Sequence, residues 1–269
     1  MSNLSITTIQ TDLFWEDKAS NLVMLEEKIK AIEDKTNIVV LPEMFSTGFT
    51  MNAEALAEKM NGYTVDWMKR ISKENNIILT GTVIIEDENK FYNRLIWMMP
   101  NGSLGYYDKR HLFGFAGEDK FYSAGNKRLI SSVNGWKINL LICYDLRFPI
   151  WARQQSDKTE EGFTSEYDIL IYVANWPEKR SHAWKTLLCA RAIENQCYVI
   201  GVNRVGKDGK NNAYSGDSLI IDPLGEVLYH MNGVEDTFTM TFEKEKLNEI
   251  RNNFPFLKDA DSFNIENML

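Results

Sequence analysis

The stretch Asn139-Leu140-Leu141-Ile142-Cys143-Tyr144-Asp145-Leu146-Arg147-Phe148-Pro149 constrains the fold more than any other part of the chain. Leu140, Leu141 and Ile142 form an apolar run without alternation, the pattern of a strand covered on both faces. Pro149 has a preset φ and no N–H, so it suits the first turn of a following helix. Cys143 therefore stands where a buried strand stops and the chain bends. Side chains at such strand ends line the clefts of layered α/β folds. A thiol there is either a nucleophile or a small buried hydrophobe, and this stretch alone does not choose between them.

The same punctuation recurs along the chain. Residues 37–41 form a second buried-type strand, stopped by Pro42 and followed by Glu43. That carboxylate either faces a cleft or is a solvated loop acid. Residues 167–173 read as a third strand, ending in Ala174-Asn175-Trp176-Pro177, and residues 197–202 as a fourth, ending in Asn203-Arg204. Between them, residues 16–33 and 64–74 carry helical spacing, with Leu22, Leu25, Ile29 and Ile32, and Val65, Met68 and Ile71, turned inward. Ser181 is placed to cap a long helix ending near Gln196. A short helix is expected over 148–155 and an exposed loop over 156–166. Pro100-Asn101-Gly102 and Asn134-Gly135 mark hairpins. Residues 108–118 hold two glycines and little periodicity, so they read as a loop; taken singly, Lys109, Arg110, His111 and Glu118 there pass for ordinary surface or structural residues.

Strands alternating with helices, several joined by hairpins, predict an α/β chain of mixed sheets covered by helices, not a purely parallel doubly wound sheet. With 269 residues, no internal repeat and no Gly/Ser-rich linker, residues 1–269 read as one domain with a weakly patterned tail from about residue 255. A net charge of −8 argues against general nucleic-acid binding. No run approaches the ~18 apolar residues of a membrane span. The amino terminus has no basic, apolar leader. Three cysteines form no disulfide framework and match no metal spacing, and a reducing cytoplasm is the expected setting.

Chemistry narrows the options for Cys143. A free thiol, with a pKa of about 8.5, is largely protonated at neutral pH, so a base or a cation must assist it. The histidines, His111, His182 and His230, fall in a loop, a helix and a strand end, and none stands out as the partner of a Cys/His pair. The other available activators are Glu43, Lys109 and Glu118.

At these residues the chain resembles a family. Leu41-Pro42-Glu43-Met44-Phe45, Asp108-Lys109-Arg110-His111-Leu112-Phe113 and Leu141-Ile142-Cys143-Tyr144-Asp145-Leu146-Arg147-Phe148-Pro149 resemble the three signature blocks of the nitrilase superfamily of carbon–nitrogen hydrolases. Ala174-Asn175-Trp176-Pro177, the run 190–196, Gly201-Val202-Asn203-Arg204 and Asp222-Pro223-Leu224-Gly225 are similar to that family too, so the resemblance extends to about Phe256. It implies a four-layer α-β-β-α sandwich, two subunits of which commonly stack as a homodimer. It also implies Glu43 as general base, Lys109 as catalytic lysine and Cys143 as nucleophile. Glu118, six residues before Ala124-Gly125, matches the family's second glutamate, although the loop before it is shortened here. The backbone N–H of Tyr144 then joins Lys109 in holding the oxyanion. Ile150 stands where relatives often have Glu, a change that leaves the nucleophile untouched.

Cys143-Tyr144-Asp145 departs from the Cys-Trp-Glu of true nitrilases, and the wording around Glu43, Lys109 and Asn175-Trp176-Pro177 is most similar to the omega-amidase branch. That branch hydrolyses the terminal amide of 2-oxoglutaramate and 2-oxosuccinamate through a cysteine thioester, without a cofactor. Such substrates carry a carboxylate. Arg147 is a candidate for holding it and equally for a structural ion pair; Arg110 and Arg180 are further candidates. Phe115, Tyr144 and Trp176 are candidate pocket walls. The competing readings are another aliphatic amidase or carbamoyl-amine hydrolase, and a nitrilase-fold binding protein without turnover.

Overall fold

The computed structural model describes residues 3–155, 157–159 and 162–266. The chain runs β1 (Asn3–Gln10), α1 (Lys18–Lys30), β2 (Ile38–Val40), α2 (Ala53–Leu56), α3 (Tyr63–Asn75), β3 (Ile78–Asp87), β4 (Lys90–Met98), β5 (Leu104–Asp108), β6 (Leu129–Val133) and β7 (Trp136–Ile142). It continues through α4 (Pro149–Ala152), β8 (Asp157–Thr159), β9 (Gly162–Thr164), β10 (Ile169–Val173), α5 (Ser181–Asn195), β11 (Tyr198–Val202), β12 (Val205–Lys207), β13 (Ala213–Ile221), β14 (Val227–Asn232), β15 (Asp236–Glu243) and α6 (Lys244–Asn253).

Two mixed sheets form the centre. One has the order β15-β1-β2-β3-β4-β5; the other has the order β12-β13-β11-β10-β7-β6, with β14 on β13. Within each, three strands are parallel: β1, β2 and β3 in the first, β7, β10 and β11 in the second. Among them are β2, β7, β10 and β11, the strands that read as buried apolar runs. Period two explains why. In β2, Ile38 and Val40 point to the core between the sheets, while Val39 points to the core under α1 and α3, so both faces are buried. Leu22, Leu25 and Ile29 of α1 and Val65, Met68 and Ile71 of α3 fill that outer core, as their spacing predicts.

On the far side α5 lies against β11 and β13. Gly201 of β11 permits the approach: a Cβ there would meet Leu188 Cδ1 at 2.5 Å and Trp184 Cζ2 at 2.8 Å. With Leu247 of α6 buried in the same core, the order is helix, sheet, sheet, helix. The four-layer α-β-β-α sandwich implied by the resemblance is the architecture observed.

Several local expectations need correction. The helix expected over 148–155 is only the four residues of α4, preceded by a 3-10 turn over Cys143–Arg147. The backbone leaves the helix early because Gln154 N–H donates to Asn195 Oδ1 and Gln154 Oε1 accepts from Tyr167 N. Within the stretch read as a loop, β8 and β9 pair as a small antiparallel ladder; residues 156, 160 and 161 lie outside the described residues. Ser181 does not cap α5. It is the first helical residue, and its hydroxyl donates to Asp217 Oδ2 at 2.6 Å. In the tail, Leu257 is buried against the chain itself, and its N–H donates to Gln196 Oε1. Both expected hairpins form; at the second, Asn134 and Gly135 both adopt positive φ, as a tight two-residue turn requires.

Candidate active site

Glu43, Lys109, Cys143 and Asn175 all follow the same ends of their strands, β2, β5, β7 and β10, so the sandwich gathers them from distant parts of the sequence. Each is then fixed locally. After β2 the chain turns through Met44 at φ 44°, and Met44 N–H donates to Thr82 Oγ1 at 2.6 Å, latching the turn to β3. Lys109 continues the β5 ladder, with its N–H on Asn93 O at 3.0 Å. Cys143 adopts φ 42°, in the left-handed region that side chains other than glycine rarely occupy. Backbone strain of this kind costs about 1–3 kcal/mol and is found where a side chain must be aimed sharply.

Asp145 supports that turn. One oxygen accepts from Ile142 N at 3.0 Å and Tyr107 OH at 2.7 Å; the other accepts from His111 N at 3.0 Å and contacts His111 Nδ1 at 2.8 Å. The carboxylate thus ties the nucleophile turn to the loop carrying Lys109. Asparagine would retain one acceptor oxygen and place an NH₂ against donors. Asp145→Asn is therefore expected to lower stability by about 1–3 kcal/mol for each buried donor left without an acceptor, measured by urea unfolding.

Behind Cys143 the charges are packed tightly. Lys109 Nζ lies 2.8 Å from Glu43 Oε1 and 3.0 and 2.9 Å from the two oxygens of Glu118. Asn93 Nδ2 bridges the carboxylates, donating to Glu43 at 2.8 Å and Glu118 at 3.2 Å. Glu43 Oε2 accepts from Asn175 N at 2.8 Å, and Glu118 Oε2 from Phe113 N at 2.6 Å. Glu43, Lys109 and Glu118 have no solvent exposure, and Cys143 has 9%. The thiol is thus the member of the cluster that reaches the cavity in front of it. Its Sγ contacts Asn175 O at 4.0 Å, and the Glu43 carboxylate is the charge that acts most strongly on it.

Electrostatics follow from this burial. Desolvation would pull the Lys109 ammonium's pKa down, but the charges of Glu118 and Glu43 outweigh it and hold the group charged, above its ordinary value. Burial pushes the Cys143 thiol well up, and the Glu43 charge adds to this against the opposing pull of Lys109. Burial likewise raises the Glu118 carboxyl, partly offset by Lys109. The resting thiol is therefore protonated, and its proton needs an acceptor at the moment of attack. Glu43 is in place to be one.

The cavity has a volume of about 340 Å³ and includes Cys143, Tyr144, Arg147, Asn175, Trp176, Arg180 and Phe115 in its walls. Tyr144, Trp176 and Phe115 thus stand where the sequence reading expected pocket walls, although Phe115 is 88% exposed and forms the rim; Arg147 lines the same cavity and, among the described residues, makes no ion pair. Arg110 does not reach the cavity: it stacks on Trp151 at 4.9 Å. None of the three histidines lines the cavity. His111 stacks on Phe148 and binds Asp145, and His230 binds Asp217. The sequence reading missed Asn93 and the clamping roles of Asn175 and Asp145. The signal for Asn93 was an amide within the strand Phe91-Tyr92-Asn93-Arg94-Leu95-Ile96-Trp97, most of whose residues are apolar or aromatic.

Residues 5–252 match the carbon–nitrogen hydrolase family. Over 98% of its length the chain is 41% identical to omega-amidase YafV of Escherichia coli K12, covering all of that protein. It is 32% identical to 2-oxoglutaramate amidase of Bacillus subtilis, with 95% of this chain and 96% of that protein covered. Among solved structures, XC1258 of Xanthomonas campestris, described as a CN-hydrolase superfamily protein with an arsenic adduct in the active site, superposes with a TM-score of 0.94 at 42% identity, over 99% of this chain and all of that one. Saccharomyces cerevisiae Nit3 shares the fold at a TM-score of 0.80 and 24% identity, over 96% of each chain. With the sandwich, the buried Glu–Lys–Glu cluster behind a strand-end cysteine, and these full-length similarities in hand, the chain belongs to the carbon–nitrogen hydrolase family of the nitrilase superfamily and is a hydrolase.

Proposed function

We propose that this protein is an omega-amidase, releasing ammonia from the terminal amide of small carboxylate-bearing substrates such as 2-oxoglutaramate and 2-oxosuccinamate. The observation that carries this reading is the contact of Glu43, Lys109 and Glu118 behind a thiol that opens on a cavity with cationic walls. The similarity to an omega-amidase and a 2-oxoglutaramate amidase supports the choice of amide.

The steps follow from the geometry. Glu43 takes the Cys143 proton as Sγ attacks the amide carbon, and the carbonyl oxygen becomes an oxyanion. The N–H of Tyr144 and the charge of Lys109 stabilise it. An ammonium has three protons, and Lys109 Nζ has three short carboxylate contacts, so its contribution is chiefly its charge. Glu43 returns the proton to the amide nitrogen, the C–N bond breaks and ammonia leaves a thioester on Cys143. Water then loses a proton to Glu43 and attacks the thioester. The thiolate departs, takes the proton back and releases the acid. Glu118 positions Lys109 through both of its carboxylate oxygens. Arg147 lines the cavity, stacks on Trp176 at 5.0 Å and, among the described residues, has no ion pair, so it adds positive charge to the wall that an anionic substrate meets. Free thiols at Cys143, Cys189 and Cys197 suit a reducing cytoplasm, and stacking as a homodimer follows the family's habit.

The test is ammonia release across a panel of 2-oxoglutaramate, succinamate, a neutral aliphatic amide and an N-carbamoyl amine. The highest kcat/KM is expected for the two carboxylate-bearing ω-amides. No amide turnover, or a preference for the carbamoyl amine or the neutral amide, would overturn the proposal.

A further inference from the structure

The cavity is positively charged although the chain carries a net charge of −8. Arg147, Lys179, Arg180 and Lys210 line it, and its one acid is Asp208. Asp208 does not neutralise them by ion pairing. It accepts from Lys210 N and Asn212 N, each at 2.9 Å, from Asn212 Nδ2 at 2.8 Å and from Tyr214 OH at 3.0 Å, which occupies both of its oxygens.

Arg180 is held in a specific way within this wall. It closes the 3-10 turn Glu178–Arg180 that follows Pro177. Its carbonyl accepts from Trp176 Nε1 at 2.8 Å, and its N–H donates to Pro177 O at 2.9 Å. The guanidinium lies over the Phe113 ring, 5.0 Å from its centroid. Phe113 belongs to the loop of Lys109 and Glu118, and its ring is also 4.9 Å from that of Tyr144, next to the nucleophile. The backbone at Arg180 is therefore fixed to one wall and its side chain rests on another. Its planar group is pre-oriented, and stacking leaves the N–H edge open. Among the described residues that edge has no carboxylate and no hydrogen-bond acceptor. Arg147, whose guanidinium lies over the Trp176 ring, is in the same condition.

We propose that Arg180 is a specificity-determining residue whose guanidinium binds the substrate carboxylate, selecting amides with an anionic far end over neutral ones. The inference rests on the amidase reading above and adds the residue that sets the preference. Two stacked arginines without acid partners would make the cavity costly to leave empty of anions, and a carboxylate supplies paired acceptors of matching geometry. Phe113 couples this binding to the catalytic loop, since it is touched by Arg180 on its face and bonded through its N–H to Glu118.

The test compares kcat/KM for succinamate with that for butyramide in wild type, Arg180→Gln and Arg180→Lys. The ratio of the two is expected to fall by at least about tenfold in Arg180→Gln, chiefly through a higher KM for succinamate, with Arg180→Lys intermediate because it keeps charge but loses the planar fork. An unchanged ratio in Arg180→Gln overturns the assignment, and so does an equal fall for both substrates, which marks a structural role. A wild type that turns over neither amide, or prefers butyramide, overturns the amidase reading itself; an unchanged ratio with a wild type that prefers succinamate overturns only the role of Arg180.

Discussion

Cys143→Ala is expected to abolish ammonia release, lowering kcat by about 10⁴-fold or more, because among the described residues Cys143 is the one thiol that lines the cavity. The fold should persist. Alanine fills most of the thiol's volume, and the left-handed backbone at φ 42° is held by Asp145 through Ile142 N, not by the sulfur. The covalent step has its own readout. Intact mass after rapid mixing with an ω-amide should show an acyl adduct on the wild type and none on Cys143→Ala. Turnover within tenfold of wild type in the alanine variant would place the nucleophile elsewhere and dismiss the thioester.

Lys109→Met should damage both activity and stability, for one physical reason. Among the described residues, the ammonium is the only cation touching these two carboxylates, which have no solvent exposure. Removing it leaves Glu43 and Glu118, bridged only by Asn93, repelling each other where water cannot screen them. Breaking a buried ion pair by deleting one partner costs about 3–5 kcal/mol. Loss of the oxyanion's cation should cost a further factor of about 10²–10³ in kcat. The pH dependence has a definite sign. Without Lys109 the folded-state pKa of Glu118 rises further above its ordinary 4.5. The penalty is then absent below that ordinary value, where folded and unfolded chains are both protonated, and grows as pH rises through the folded-state value. Urea unfolding of Lys109→Met at pH 5 and pH 8 should therefore show the larger deficit at pH 8. The double variant Lys109→Met/Glu118→Gln should recover stability without recovering turnover. A deficit that is equal at both pH values would show that the loss comes from packing and not from charge.

Legibility in the sequence followed the range of the interaction involved. The inward faces of α1 and α3 were readable because hydrophobic periodicity is a local property, and the fold matches it residue for residue at Leu22, Leu25, Ile29, Val65, Met68 and Ile71. Glu43, Lys109 and Cys143 were readable as polar or reactive residues at the ends of strands, and their matching blocks supplied the rest. Glu118 was harder. Nothing in a polar, glycine-containing loop announces a carboxylate with no exposure, and only the fold shows that Phe113 N–H and Lys109 hold it inward. Arg110 and Arg180 looked equivalent as cations, yet one stacks on Trp151 away from the cavity and the other on Phe113 within it. The expected helix over 148–155 failed for a related reason: its local pattern was sound, but hydrogen bonds from Gln154 to Asn195 and Tyr167 compete with continuing the helix.

By itself the sequence determined the layered mixed-sheet class, the strand ends and the residue types placed there, because burial on one or two faces is written in the periodicity of a few adjacent residues. The tertiary structure decided which of those residues meet and in what state. Asn175 reaches Glu43 across 132 positions of sequence. Asp145 gathers donors from residues 107–111 and from Ile142. Arg147 and Arg180 stand in one cavity wall without an ion pair among the described residues. Hydrogen-bond geometry and desolvation act over a few ångströms of space, whatever the separation along the chain, so the protonation of Cys143 and the charge of the cavity come into being only when the sandwich closes.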